Sequence, residues 1–324
     1  MSLTAILDRI APEIASVEAA IMAQVKTEIP LLTSVSEYIL AAGGKRLRPA
    51  LVLLSAKLFD GVDERCVKAA QVVEYLHTAT LLHDDVVDQA DLRRSQKAAR
   101  NIWGNEASVL VGDYLLSMAF HNLTTLDNLE VLEAMSEATT LMAKGELLQL
   151  TRDYSDHGQD SYLEIIFNKT ASLFGSAVKM GAALSDAPTE RKGELYDYGV
   201  AIGMAFQIVD DALDYMSKGA KSGKPLGIDL AERKITLPLI HLLREANPAD
   251  REYVMGILAG EEAVTQDQIA GTITLMETYG SIPFSLDVAT EYTDRARECL
   301  KDFDESPTLT ILSDIAEFIV ERRF

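Results

Sequence analysis

The chain has 324 residues, of which 48% are hydrophobic, and a formal net charge of −20 at pH 7. An acidic surface repels a phosphate backbone, which excludes nucleic acid as the main partner but leaves small phosphorylated ligands open. We predict a single domain over residues 1–324, because no Pro-, Gly- or Ser-rich stretch interrupts the chain as a linker would.

The two cysteines, Cys66 and Cys299, lie far apart and match no metal or disulfide pattern. This usage is typical of a reducing compartment, so we expect a cytoplasmic location. The N-terminus lacks the regions of a signal peptide, and apolar runs such as residues 50–55 are too short to span a bilayer. We therefore expect a protein that does not span a membrane.

Apolar residues recur at three- and four-residue spacing through almost the whole chain, which predicts helices. Glycine and proline fall between the periodic segments, and we find no run of alternating β-branched residues and no tight-hairpin signal. The sequence therefore predicts an all-α fold, a bundle of long helices around a central cavity. In chain order, the predicted helices are Leu3–Val25, Val67–Val87, Ala107–Leu123, Val131–Leu150, Tyr162–Leu184, Leu195–Met216, Ile235–Leu243 and Val288–Leu300.

One acidic motif, Asp-Asp-x-x-Asp, appears twice in the sequence. Its aspartates are Asp84, Asp85 and Asp88 in the first copy and Asp210, Asp211 and Asp214 in the second. On a helix, positions i and i+4 share a face, so the first and last aspartates of each copy point the same way. The flanking residues are mostly apolar, which argues against the alternative interpretation, a solvated acidic surface.

Carboxylates in partly apolar surroundings need cations, because like charges repel and an unpaired buried charge is costly. Hard oxygen ligands suit Mg²⁺, which takes one or two protein carboxylates and completes its shell with water and substrate phosphates. Two such motifs facing each other would hold a diphosphate between them. The sequence therefore predicts magnesium sites at both motifs.

Basic residues occur where a diphosphate pocket would need them. They are Lys45, Arg46 and Arg48 after the pair Gly43-Gly44, Arg93 and Arg94 after the first motif, Lys169 in an apolar helix, and Lys224 and Lys234 after the second motif. Taken singly, each is compatible with an ordinary surface charge, Arg46 and Arg100 above all. As a set they favour a phosphate site, because this acidic protein keeps them beside its aspartates.

Several segments together resemble the trans-prenyl diphosphate synthases. They are Gly43–Pro49, Leu81–Arg94, Gly145-Glu146, Lys169-Thr170, Phe206–Tyr215 and Gly223–Pro238, in the order in which the family has them. Within that family the chain is most similar to bacterial long-chain enzymes of the octaprenyl diphosphate synthase type. The resemblance implies the all-α isoprenoid synthase fold, a homodimer, and a role in isoprenoid biosynthesis, where such products become quinone side chains.

The resemblance also implies a role for each motif residue. Three Mg²⁺ ions would bridge the protein to the allylic diphosphate, such as farnesyl diphosphate. Their ligands would be Asp84, Asp88 and Asp210, with Asp85, Asp211 and Asp214 as direct or indirect support. The same diphosphate would contact Arg93, Lys169 and Lys224, with Lys234 close by. Isopentenyl diphosphate would bind without metal to Lys45, Arg48, His77 and Arg94.

In the reaction that the resemblance implies, the allylic carbon–oxygen bond breaks toward a carbocation, which the double bond of isopentenyl diphosphate attacks. Thr170 and Gln207 would lie beside the reacting carbons. The proton would leave to the released pyrophosphate, with His77 as the alternative base. Ser95 and Arg233 stand where the family usually has glycine; these two departures leave the loop geometry open there but remove no acid or base.

The length of the product depends on the space below the aspartates, since the growing tail extends away from the fixed diphosphate. Ala79 and Thr80 precede Asp84 on its helix and lie roughly 6–8 Å from it along the axis. Small side chains there leave the path open; the alternative is that Ala79 is small because two helices pack closely. We assign the floor of the path to Phe120, Leu123 and Met135. The resemblance, together with the open first turn, implies a product of about forty carbons.

Two other functions stay open. The enzyme could stop at a short farnesyl or geranylgeranyl product, or the chain could be a non-catalytic subunit that binds prenyl diphosphates. Degenerate aspartate motifs would mark a non-catalytic subunit, and both copies are intact here. A metal-dependent phosphohydrolase is conceivable from the carboxylates alone, but the basic clusters fit two diphosphates better than one.

Overall fold

The computed structural model describes residues 2–41, 44–59, 61–94, 96–153, 155, 158–216 and 226–321. Helices make up most of these residues, which confirms the all-α prediction. The helices are α1 (Leu3–Leu7), α2 (Ala11–Val25), α3 (Pro30–Ala41), α4 (Leu47–Lys57), α5 (Glu64–Val87), α6 (Arg100–Trp103), α7 (Asn105–Thr124), α8 (Leu129–Thr151), α9 (Gln159–Ile166), α10 (Ser172–Leu184), α11 (Thr189–Asp214), α12 (Ile228–Ala231), α13 (Leu237–Glu245), α14 (Pro248–Ala259), α15 (Gln266–Thr278), α16 (Ser281–Leu300) and α17 (Pro307–Glu321).

Two predicted helices are not continuous. A 3₁₀ turn at Asp8–Ile10 separates α1 from α2, and Pro12 then lies in the first turn of α2. Proline is tolerated there because the first turn needs no amide donor, whereas a helix interior does. A π-helical turn, Phe167–Ala171, separates α9 from α10. Such turns are frequent at functional sites, and this one contains Lys169 and Thr170.

A short hairpin follows the first aspartate motif. The sequence analysis found no hairpin signal, so the prediction was wrong at this point. Strands β1 (Leu92–Arg93) and β2 (Gln96–Lys97) pair antiparallel. Strands of two residues are too short to show alternation, and the turn carries no glycine or Asn-Gly signal. Arg94 instead takes up the left-handed backbone, with φ of 51°.

The chain divides into two compact units, which we describe separately. The first unit comprises residues 1–139, 176–196 and 302–314. In it α5 packs along α7 and also contacts α2 and α4. Asp63 caps α5 by accepting hydrogen bonds from the amides of Arg65 and Cys66, and this helix of 24 residues ends within the first aspartate motif.

The second unit comprises residues 140–175, 197–301 and 315–324. There α13 contacts α9, α14, α15 and α16 around an apolar core. The core residues include Tyr215, Leu230, Leu239, Leu242, Leu243, Val254, Ile257 and Met276. Tyr215 follows α11 directly, so the end of the helix that carries the second aspartate motif is anchored in this core.

Candidate active site

The two aspartate motifs share one pattern of exposure. In the first motif Asp84 and Asp88 are partly exposed, whereas Asp85 is buried. In the second motif Asp210 is exposed, Asp214 is partly exposed and Asp211 is buried. The helical spacing explains this, because positions i and i+4 share a face and position i+1 turns away from it. The four accessible carboxylates are the predicted ligands Asp84, Asp88 and Asp210 together with Asp214, which is predicted as direct or indirect support.

The buried aspartate of the first motif holds an arginine. Arg93 donates from Nε and Nη2 to Asp85 Oδ1, at 2.8 and 2.5 Å. The second oxygen, Oδ2, is buried and has no hydrogen-bond partner among the described residues. Asp85 therefore positions Arg93, which is consistent with its predicted supporting role.

Hydrogen bonds to backbone carbonyls hold the segment that carries Arg93 and Arg94, one before the two arginines and one after them. The Tyr38 hydroxyl donates to the carbonyl of Lys97 at 2.8 Å, and Arg100 donates to the carbonyl of Ala90 at 3.1 Å. Arg100, which the sequence allowed as an ordinary surface charge, is thus part of this anchor. The structure does not describe Gly43 or Ser95.

Three of the four residues predicted for isopentenyl diphosphate lie near one another in the first unit. Arg48 Nη1 lies 3.1 Å from Nε2 of His77, so the imidazole accepts and is neutral in this arrangement. Burial, followed by the charges of Arg48 and Arg94, lowers the pKa of His77. Lys45 is exposed and stands two residues before the start of α4. A neutral imidazole among arginines is a weak base, which disfavours the alternative role for His77.

The buried aspartate of the second motif accepts two hydrogen bonds. Tyr162 donates to Asp211 Oδ2 and Gln207 to Oδ1, each at 2.7 Å. Burial raises the pKa of Asp211, these hydrogen bonds oppose the rise, and the charges of Asp210 and Asp214 add to it. The sequence did not identify Tyr162, because nothing in its spacing marks a partner 49 residues away.

The π turn between α9 and α10 presents two predicted residues. Thr170 Oγ1 donates to Gln207 Oε1 at 2.9 Å, which joins Thr170, Gln207 and Asp211 in one chain of hydrogen bonds. Lys169 Nζ pairs with Glu146 at 2.6 Å and donates to Gln149 at 3.1 Å. The structure therefore brings Thr170 to Gln207 in the second unit, whereas Lys169 contacts Glu146 and Gln149 of α8.

Asp229 belongs to the second motif's surroundings, although the sequence analysis did not single it out. Its amide donates to Asp214 Oδ2 at 2.9 Å. Burial, followed by the charges of Asp211 and Asp214, raises the pKa of Asp229, and Lys234 opposes the rise. Its position inside the segment Gly223–Pro238, which carried the family resemblance, is the signal that could have identified it.

The basic residues that follow the second motif differ in whether the structure describes them and in what they contact. Lys224 lies outside the described residues. Lys234 Nζ is paired with Glu232 at 2.7 Å and its amide donates to the carbonyl of Asp229. Arg233 has a φ of 55°, in the left-handed region that glycine usually occupies. Its guanidinium also donates to the carbonyl of Glu262 at 2.6 Å.

Comparison with known proteins identifies the family. The polyprenyl synthetase family matches residues 29–276. The chain belongs to the polyprenyl synthetase family. The octaprenyl diphosphate synthase of Escherichia coli (strain K12) is 37% identical over 323 residues, which cover 99% of each protein.

Two crystal structures resemble this polyprenyl synthetase over its whole length. A decaprenyl diphosphate synthase from Rhodobacter capsulatus has 38% identity and a TM-score of 0.93, covering 99% of each chain. A polyprenyl synthase from Caulobacter crescentus CB15, complexed with calcium and isoprenyl diphosphate, has 36% identity and a TM-score of 0.94, covering 100% of this chain and 98% of that one. These matches confirm the isoprenoid synthase fold. The chain is a trans-prenyltransferase whose reaction is the elongation of a polyprenyl diphosphate.

Polyprenyl synthetases depend on Mg²⁺ in general, and the donors in this chain suit that ion. Each motif offers two accessible carboxylates one helical turn apart. Among the described residues, no group of three or more His, Cys, Asp or Glu side chains is arranged to hold a metal ion. Mg²⁺ needs no such cage, because it binds through one or two carboxylates plus substrate phosphates. The residues therefore fit an ion that binds together with its diphosphate.

The residues predicted to set product length all lie in the first unit. Ala79, Leu123 and Met135 are buried, and Phe120 is partly buried. Thr80 is partly buried and donates from Oγ1 to the carbonyl of His77 at 2.8 Å.

In the part of the chain that the structure describes, no helix is both long and apolar enough to cross a membrane.

Proposed function

We propose that this enzyme condenses isopentenyl diphosphate with an allylic diphosphate such as farnesyl diphosphate, to give an all-trans product of about forty carbons, the length in the name of its octaprenyl relative. The observation that carries the proposal is the shared pattern of the two motifs, each with two accessible aspartates and a buried one. Such a pattern suits two metal-binding faces rather than an acidic surface, because a surface cluster needs no buried, hydrogen-bonded member.

We assign three Mg²⁺ ions to Asp84, Asp88, Asp210 and Asp214. When bound, the metal supplies charge neutralisation for the pyrophosphate that departs from the allylic carbon. Arg93, Lys169 and Lys224 bind that same diphosphate in this proposal. The contacts of Lys169 with Glu146 and Gln149 are compatible with this role, because they hold the ammonium group, which can donate to phosphate, in one position.

The second substrate, isopentenyl diphosphate, is assigned to Lys45, Arg48, His77 and Arg94 without metal. The lowered pKa of His77 supports a binding role, because a neutral ring can donate one hydrogen bond to phosphate but is a poor base. After the double bond has attacked, the released pyrophosphate takes a proton from the carbon adjacent to the new cationic centre, which forms the double bond of the product. In this proposal Thr170 and Gln207 lie beside the reacting carbons, and their mutual hydrogen bond holds both side chains in place.

Separate substitutions should distinguish the two substrate sites. Lys45→Ala and Arg48→Ala should each raise KM for isopentenyl diphosphate by about tenfold, since each loses a hydrogen bond to a charged group. Lys224→Ala should instead raise KM for the allylic substrate. Steady-state kinetics with each substrate varied in turn measures both constants. Three variants that all impaired only the allylic substrate would contradict this division.

A large side chain below the aspartates should shorten the product. Ala79→Tyr is expected to end elongation at about fifteen or twenty carbons, because the ring fills the path about one helical turn below Asp84. Met135→Ala should lengthen the product or broaden its distribution. Chromatography of the products measures both, with the initial rate as the control that the reacting end is intact. A folded Ala79→Tyr variant with the wild-type product would show that Ala79 only serves helix packing.

We also propose that the two units form a single prenyltransferase domain over residues 1–324 and that the enzyme is a cytoplasmic homodimer. Helices α8 and α11 each contribute residues to both units, which supports one domain. Exposed apolar side chains on α6 and α7, Ile102, Val109 and Leu110, would be covered in a dimer. Cys66 and Cys299 form no disulfide, which suits a reducing compartment.

A further inference from the structure

Arg46 has an unusual backbone for its residue type. It immediately precedes α4 and has φ of 47° and ψ of 30°, in the left-handed region that side chains other than glycine seldom occupy. Its neighbours in sequence are Lys45 and Leu47, and Arg48 follows in the first turn of the helix. The conformation of Arg46 therefore sets the relative directions of Lys45 and Arg48.

The guanidinium of Arg46 binds three acceptors from three parts of the first unit. It donates to Glu74 Oε2 at 2.7 Å, to Glu18 Oε1 at 3.1 Å and to the carbonyl of Leu40 at 3.0 Å. These acceptors belong to α5, α2 and α3 respectively. The Arg46 side chain is 14% exposed and that of Glu74 is 6% exposed. Arg46 is therefore not an ordinary surface charge, which corrects that alternative.

The ion pair between Arg46 and Glu74 lies among the cations assigned to isopentenyl diphosphate. A Cβ on Gly44 would lie 3.2 Å from Arg94 Nη1 and 3.6 Å from Arg46 Nη1, so both guanidinium groups approach the same glycine. The pKa of Arg94 is lowered by burial and by the charges of Arg46 and Arg93, and the charge of Glu74 opposes this. Glu74 thus offsets repulsion within a group of arginines that must stay close together.

We propose that Arg46, held by Glu74, is a positioning residue for the diphosphate of isopentenyl diphosphate. Its fork of donors fixes the left-handed turn, and the turn aims Lys45 and Arg48 at one diphosphate. This inference rests on the proposed function, which places Lys45 and Arg48 in that site. A lysine at this position would supply its charge at one point and would lack the planar fork that reaches all three acceptors at once.

Substrate kinetics test the inference. Arg46→Ala and Glu74→Gln should each raise KM for isopentenyl diphosphate by about tenfold while kcat and KM for the allylic substrate stay within about twofold, because the site loses alignment rather than a catalytic group. Arg46→Lys should show a smaller rise. In the double variant, the effects should be less than additive, because both changes break the same interaction.

Lys57→Ala is the matched control. It breaks an ion pair to Glu13 of α2 at the opposite end of the same helix, α4. We expect it to leave KM for isopentenyl diphosphate within about twofold of wild type, even where its melting temperature falls. If Arg46→Lys and Glu74→Gln fold and behave like this control, the pair is purely structural and the inference fails.

Lys45→Ala separates failure of the inference from failure of the proposed function. A raised KM in Lys45→Ala beside an unchanged KM in Arg46→Ala and Glu74→Gln would overturn the role of Arg46 alone. An unchanged KM in Lys45→Ala would overturn the assignment of the whole site, and with it the inference.

Discussion

Asp84→Ala and Asp210→Ala should each reduce condensation by about a hundredfold or more while the helical fold remains intact. Each change removes an accessible carboxylate assigned to Mg²⁺, and loss of a single group that stabilises charge in a transition state typically costs that much. Each also removes repulsion between neighbouring carboxylates, so the melting temperature should be equal to or slightly above that of the wild type. Product formation measures the first effect, and circular dichroism with thermal melting measures the second.

The exposed aspartate Asp287 on α16 provides the control for these variants. Asp287→Ala removes the same charge outside both motifs and should keep wild-type turnover. EDTA should abolish activity in the wild type, and added Mg²⁺ should restore it. Wild-type turnover in Asp84→Ala or Asp210→Ala, or full activity in EDTA, would overturn the metal assignment.

Gly203→Ala should destabilise the protein strongly and displace the π turn. A Cβ at this position would lie 2.6 Å from Ala171 Cα and 3.0 Å from Ala171 Cβ, so the clash is with backbone that cannot rotate away. Overpacking of this kind costs about 1–3 kcal/mol of folding free energy. Because Ala171 ends the turn that carries Lys169 and Thr170, we expect activity to fall further than the loss of folded protein explains.

Gly193→Ala on the same helix, α11, is the control for this effect. Gly193 is exposed, and a Cβ there would meet nothing within 4 Å. Alanine should therefore stabilise the helix by about 0.5–1 kcal/mol, since glycine loses more backbone entropy on folding. Chemical denaturation of both variants gives the two free energies of unfolding. A Gly203→Ala variant as stable as Gly193→Ala would show that the turn is not held by this close approach.

The helical fold and the shared face of the motif aspartates could be predicted from the sequence because both depend on local spacing. Apolar residues at helical intervals located α5 and α11, and the i, i+4 relation placed Asp84 with Asp88 on one face. The same pattern continues unchanged through Phe167–Ala171, so periodicity could not reveal the π turn. Nor could it reveal the hairpin after the first motif, whose strands are too short to alternate.

The residues that support the site were harder to predict, because tertiary contacts define them. Tyr162 and Asp211 are distant in sequence, and no composition or spacing joins them. In the sequence, Arg46 is compatible with an ordinary surface charge, whereas in the structure its guanidinium donates to Glu74 and Glu18 on two other helices. Its left-handed backbone is likewise a tertiary effect, since the residue type alone favours the right-handed region.

The mass of the product formed from Mg²⁺, farnesyl diphosphate and isopentenyl diphosphate is the most direct test of the proposed activity. Purified enzyme should extend farnesyl diphosphate by successive five-carbon units to an all-trans polyprenyl diphosphate of about forty carbons, as in the name of its octaprenyl relative. Mass spectrometry of the extracted product gives this number directly. A product that ends at fifteen or twenty carbons would contradict the long-chain assignment. Release of phosphate without chain growth, or no turnover at all, would contradict the prenyl transfer itself.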